Sequence, residues 1–151
     1  MDEELINKEF LKQKRKYIRR FGRKPLDNFQ LYHECFGLFG TTFKGTYMQD
    51  SLKKYKPGYY ILNTDTSGNN GTHWVAMVVT PKTAYIFDSF GRDTDSLLPI
   101  LKKNLNKQKL KIIETEKQAE QKGNSEICGH LCISWLLCCK KFGVRATAKV
   151  I

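Results

Sequence analysis

Apolar positions along this chain change period several times, and each change predicts an element. Up to Gly22 they recur at helical spacing: Ile6, Phe10, Tyr17 and Phe21 fall near one stripe, broadened by Leu11 and Ile18. The opposite face carries Lys12, Lys14, Arg15, Lys16, Arg19 and Arg20, and Arg23-Lys24-Pro25 closes this basic arm. A second helix is expected after Asp27, because Gln30 stands where a capping box needs it. Its inner face is read as Phe29, Tyr32, Cys35 and Phe36. Gly37, Gly40 and Gly45 mark a loop. Tyr59 to Leu62 reads as a strand, and Asp65 to Thr72 as a turn-rich loop. His73 then opens a strand, HWVAMVV, whose nearly unbroken apolar run fits cover on both faces. Thr80-Pro81-Lys82-Thr83 is a turn, and the chain returns through Ala84 to Asp88. Asp95 or Ser96 is expected to cap a helix carrying Leu97, Leu98, Leu101 and Leu105, with Pro99 in its first turn. Leu110 to Ile113 predicts a last strand.

The densest apolar run is Leu131 to Cys139. It is too short to cross a bilayer, which takes roughly 20 residues. As a helix it is apolar all round, so it belongs in the middle of a core. A polar stretch, Lys122 to Glu126, leads into it, with Ser125 as the candidate cap. The expected fold class is α+β: a small mixed, largely antiparallel sheet packed around a central buried helix that starts at Cys128. Residues 1–24 form a basic helical arm and 25–151 the remaining body of a single domain.

Composition changes the picture at two points. A chain of 151 residues with 40% hydrophobic and 27% charged residues is ordinary for one globular domain, but a net charge of +11 is not. That excess favours a polyanion such as DNA as a partner. The opening Met1-Asp2-Glu3-Glu4 is acidic and no apolar segment follows, so no secretion is expected. Four of the five cysteines crowd between Cys128 and Cys139, which does not suit a disulfide framework and points to a reducing compartment.

Three residues carry candidate chemistry. Cys128 falls on the first turn of the central helix, where the dipole and free N–H groups favour thiolate, the reactive form. His73 begins one strand and Asp88 ends its partner. Their separation puts both side chains on one face of a hairpin, opposite or diagonal, with Cβ atoms about 5–8 Å apart. A carboxylate there holds one imidazole nitrogen and leaves the other as a base, the logic of a catalytic triad with Cys128 as nucleophile. Gln121, seven residues before Cys128, can donate to an oxyanion beside the Cys128 N–H. Taken singly, each has a plainer reading: a packed thiol, a strand-end histidine, a turn carboxylate and a solvated amide. Cys132, Cys138, Cys139, Cys35 and Trp135 read as core. His130 is too near Cys128 to be its base. Cys128, His130 and Cys132 lie close in sequence, but alternate helical residues point apart, so no metal site is expected.

These same residues carry a family resemblance. Ile61-Leu62-Asn63-Thr64, then Gly71-Thr72-His73-Trp74, resembles the histidine region of adenain, the adenovirus maturation protease family. Tyr85 to Gly91 is similar to that family's acidic-residue strand. Gln121 to Gly129 is similar to its nucleophile segment, with the same Gln-to-Cys spacing, and Phe43 to Tyr47 resembles a short stretch of its N-terminal half. The resemblance implies a cysteine endopeptidase with a His73, Asp88, Cys128 triad and Gln121 in the oxyanion hole. The SUMO-specific proteases of the wider superfamily share that order. It further implies maturation cleavage of viral capsid or structural precursors after small residues, with Trp74 narrowing the substrate channel toward glycine. No cofactor is implied beyond possible stimulation by DNA, and the setting is the virion and the host cell interior. A small double-stranded DNA virus, a virophage or a virus-like transposon is the implied source. Asp88 stands where adenain has glutamate, although SUMO proteases use aspartate. No cysteine lies near Leu110, where the family ties an activating peptide by a disulfide. Two other classes compete: an isopeptidase acting on ubiquitin-like modifiers, and a non-enzymatic basic DNA-binding module.

Overall fold

In the computed structural model, residues 3–66, 73–115 and 126–151 are described. The chain opens with α1 (Glu3–Phe21), which has Glu3 and Glu4 in its first turn and Arg19 and Arg20 in its last, each opposing the dipole end it meets. Ile6, Phe10 and Tyr17 are buried along one stripe, as the periodicity predicts. Leu11, expected to widen that stripe, is instead exposed. A full capping box starts α2 (Asn28–Phe39): the Gln30 N–H donates to Asp27 at 2.8 Å, and the Asp27 N–H donates to Gln30 at 3.0 Å. The phase of this helix differs from the sequence reading. Leu31, Cys35 and Phe39 face inward, spaced four apart, while Phe29, Tyr32 and Phe36 are exposed. Large aromatic side chains suggested the wrong stripe.

The stretch read as a glycine-punctuated loop contains an edge strand, β1 (Phe43–Met48). Gly45 has φ of 128° beside a break in the β1 register, and a Cβ there would lie 3.0 Å from the Tyr47 ring. Next come β2 (Gly58–Asn63), β3 (Trp74–Val79) and β4 (Thr83–Phe87), with the Thr80 N–H donating to the Thr83 carbonyl across the turn. The single helix expected after Gly91 is two. Asp93 caps α3 (Thr94–Leu97), and Pro99 begins α4 (Pro99–Lys107). The break falls at Leu98, because a residue before proline is pushed out of helical conformation. β5 (Lys111–Glu114), α5 (Cys128–Phe142) and α6 (Val144–Ala148) complete the order.

The five strands lie in chain order. β2, β3 and β4 are antiparallel neighbours, whereas β1 pairs with β2, and β4 with β5, in parallel. The sheet is therefore mixed, and the antiparallel character is confined to its middle. Side chains alternate between two apolar layers. Ile61, Ala76, Val78 and Phe87 join α1, α2 and α5 in one layer; Tyr60, Leu62, Val75, Met77 and Ile86 join α4 in the other. This is why β3 reads as an unbroken apolar run. α5 is buried from Cys128 to Cys139 except at Leu137, with Trp135 stacked on Phe87 at 5.4 Å. The basic arm belongs to this same core, since α1 packs along α5.

Candidate active site

The β3–β4 register pairs Ala76 with Phe87. Continued one step, it sets Asp88 across from Val75 and makes His73 its diagonal neighbour on the same face. The side chains meet there: His73 Nε2–H donates to Asp88 Oδ1 at 2.5 Å. That leaves Nδ1 as the ring's other nitrogen, and the imidazole is near enough to the Cys128 thiol for each to shift the other's pKa. The Trp74 backbone N–H donates to Cys128 Sγ at 3.5 Å. Cys128 is the first residue of α5, and Ile127 before it provides no side-chain cap, so the sulfur lies at the positive end of the helix. Cys128 is 7% exposed, and His73 and Asp88 each 6%. All three residues are thus buried, each with a small fraction of its surface left in solvent.

Burial alone would raise the Cys128 thiol pKa and lower that of His73. For the thiol, the His73 ring and the N–H groups of Trp74 and Gly129 outweigh burial, and the pKa falls below its ordinary value. For His73, the hydrogen bond to Asp88 and the neighbouring Cys128 thiol outweigh it, and the pKa rises. Both shifts favour a thiolate–imidazolium pair. Asp88 also overcomes its burial. Hydrogen bonds from His73 and Arg92 hold its pKa at about 2.

Arg92 was not singled out by sequence reasoning. Its backbone N–H donates to Asp88 Oδ2 at 2.8 Å, and its Nε–H to the same oxygen at 3.1 Å. The available signal was the i,i+4 Asp–Arg spacing around Gly91, whose φ of 68° makes the turn. The alternative carboxylates are engaged elsewhere: Asp93 caps α3, and Asp95 pairs with Lys102.

The connector between α1 and α2 packs against the residues next to the pair. The Trp74 indole N–H donates to the Leu26 carbonyl at 3.0 Å, and His130 Nε2–H donates to the Gly22 carbonyl at 2.7 Å. Leu26 lies so close to Gly129 that a Cβ on that glycine would be 3.2 Å from the Leu26 side chain. His130 is buried with its pKa lowered, chiefly by burial, and serves packing rather than Cys128. All five cysteines are free thiols. Burial pushes the Cys138 thiol up to about 12 and those of Cys132 and Cys139 well above the ordinary value. Among the described residues, no three His, Cys, Asp or Glu side chains are grouped to hold a metal ion. Nor is any helix long and apolar enough to cross a membrane.

Gln121 and Ser125 lie outside the described residues. On α1, Lys12, Arg15, Lys16, Arg19 and Arg20 are exposed and Lys14 is half-buried; Arg20 pairs with Glu34 at 2.8 Å.

A histidine–carboxylate pair beside a helix-start cysteine narrows the comparison with known proteins. A protease of Bovine adenovirus 7 is 29% identical over 134 residues, which is 80% of this chain and 63% of that relative. The chain thus spans under two thirds of the length of the curated relative it matches. Residues 35–149, which run from the buried face of α2 to just beyond α6 and include His73, Asp88 and Cys128, match the family model described as adenovirus endoprotease. That match takes in most of the chain, and the chain belongs to the adenovirus endoprotease family.

Proposed function

We propose that the protein is a cysteine endopeptidase with Cys128 as nucleophile, His73 as acid and base, and Asp88 as the group that orients the imidazole. The observation that supports this most is the His73–Asp88 hydrogen bond set beside the sulfur at the start of α5, to which the next backbone N–H, that of Trp74, donates. In this reading the thiolate attacks the scissile carbonyl carbon and forms a C–S bond. The oxyanion is received by the Cys128 N–H and the Gln121 amide. Imidazolium then protonates the leaving nitrogen, the C–N bond breaks, and a thioester remains. Water attacks the thioester with His73 as base, releasing the acid and restoring the thiol.

The family and the printed name of the relative, a protease, support viral structural precursors as substrates. Trp74 stands next to His73 with its indole tied to Leu26, so it can narrow the channel and favour glycine near the cut. The exposed cations of α1 (Lys12, Arg15, Lys16, Arg19 and Arg20, with Lys14 beside them) would hold DNA together with basic precursors.

Co-expression of wild-type and Cys128→Ala protein with structural precursors from the same genome, read by mass spectrometry, tests this. New termini after small residues are expected with wild type alone. Identical termini with Cys128→Ala would overturn the assignment. For DNA, an added duplex should raise the rate at low salt, and an unchanged rate removes that role.

A further inference from the structure

Asp88 is held from two sides. Its Oδ1 faces His73, and its Oδ2 takes two bonds from Arg92, one from the backbone N–H and one from Nε–H. Arg92 Nη2 also reaches Oδ1 at 3.5 Å. The guanidinium lies over the Phe90 ring at 4.8 Å, and Phe90 packs against the His73 ring at 5.1 Å. Arg92, Phe90, His73 and Asp88 therefore close a ring of contacts around one carboxylate. The Asp88 side chain is 4% exposed, while that of Arg92 is 44% exposed. A guanidinium half in solvent costs little to desolvate, yet it delivers its hydrogen bonds to a buried anion, where they count most.

We propose that Arg92 is a positioning residue for the reaction: it pins Asp88 in the one orientation that serves His73. The inference rests on the triad reading above. It assigns Arg92 no contact with substrate. Among the described residues, the titratable and charged groups around Asp88 are His73, Arg92, Cys128 and Cys132 on α5, and Glu114 across a small cavity lined also by Thr94 and Leu98. Arg92 is the permanent cation of that set. Without it the carboxylate protonates more readily and is less well aimed, so the imidazolium loses its partner and the thiol its cation. Each consequence raises the lowest pH at which the thiolate forms.

The test uses Arg92→Gln and Arg92→Lys in the full chain, with two readouts across pH: kcat/KM on a precursor peptide, and the rate of Cys128 alkylation by iodoacetamide, which needs no substrate. In Arg92→Gln the acid limb of both profiles should move up by about one pH unit, a loss of roughly tenfold on that slope. Arg92→Lys, which retains a cation but not the fork, should restore part of the shift. A lowered rate with both acid limbs unmoved, in a variant that keeps the wild-type Tm, would overturn the proposal. An Arg92→Gln protein with a depressed Tm is judged by Arg92→Lys: a wild-type acid limb there with no loss of rate also overturns it. Failure of the triad reading has a different signature: Cys128→Ala would keep peptidase activity, or wild-type alkylation would begin only near the ordinary thiol pKa.

Discussion

The first turn of α5 and its later turns carry the same functional group in opposite states. Cys128 begins the helix, and Cys132, Cys138 and Cys139 follow on the same cylinder. All four are buried, yet the Cys128 thiol pKa is lowered while the other three are raised. Burial opposes charge at every one of them. At Cys128 it loses to an imidazole, to two backbone N–H groups and to the end of the helix. At Cys132 nothing answers it; at Cys138 a nearby lysine, and at Cys139 the neighbouring Thr147 side chain, count for less than burial. The influences that favour a thiolate are gathered where the helix begins, and the remaining thiols sit as small apolar side chains.

Four changes break or sharpen this contrast. The largest is expected from Cys128→Ala, which should abolish peptide cleavage, a loss of at least about a thousandfold. It should also remove the only fast-alkylating thiol, whereas Cys132→Ala and Cys139→Ala should keep both. His73→Ala should strip Cys128 of its cation. Alkylation at mildly acidic pH should drop by roughly tenfold or more and recover only toward the ordinary thiol pKa, as a pH series of labelling rates would record.

A third change concerns stability. The Asp88 pKa is depressed in the folded state, to about 2 from an ordinary 3.8. Its contribution is therefore present above the ordinary carboxylate value and lost as pH falls toward the folded one. It amounts to about 2 kcal/mol. Asp88→Asn should flatten the fall in stability between about pH 4 and pH 2, read by denaturant midpoints. His73 has the opposite sign, since its raised value lends stability below the ordinary histidine range that disappears as pH rises through the folded value. The smallest effect is expected from Gly129→Ala. Alanine favours a helix by up to about 1 kcal/mol over glycine, but its Cβ must displace Leu26 and Leu31 at 3.2–3.3 Å. Tm should fall by a few degrees, about 1 kcal/mol net, with a larger drop in kcat than a later-turn Cys138→Ala produces.

Much of this site was legible in the sequence. The parity of His73 and Asp88 around a four-residue turn leaves little freedom once the hairpin forms, and an all-apolar helix can only lie inside. The capping box of Asp27 and Gln30 was readable because both partners are local. What escaped notice depends on tertiary choice. Phe29, Tyr32 and Phe36 outweighed Leu31 and Phe39 by size, but the face that meets the sheet and α5 is the Leu31, Cys35 and Phe39 face. β1 was hidden because three glycines lie in or near it, and an edge strand needs only one neighbour. The α3–α4 break followed from Pro99, which was noticed but placed inside one helix rather than at the start of a second. Arg92 was missed because its role shows only when the Gly91 turn folds its guanidinium back over Phe90.

The two carbonyls of Gly22 and Leu26 tie the connector to His130 and Trp74, residues that flank Cys128 on α5 and His73 on β3. The residues just after the first helix are thereby a mechanical anchor for the neighbours of Cys128 and His73. Any force that lifts the opening helix from its seat reaches the surroundings of Cys128 and His73 through two hydrogen bonds, without anything having touched either residue.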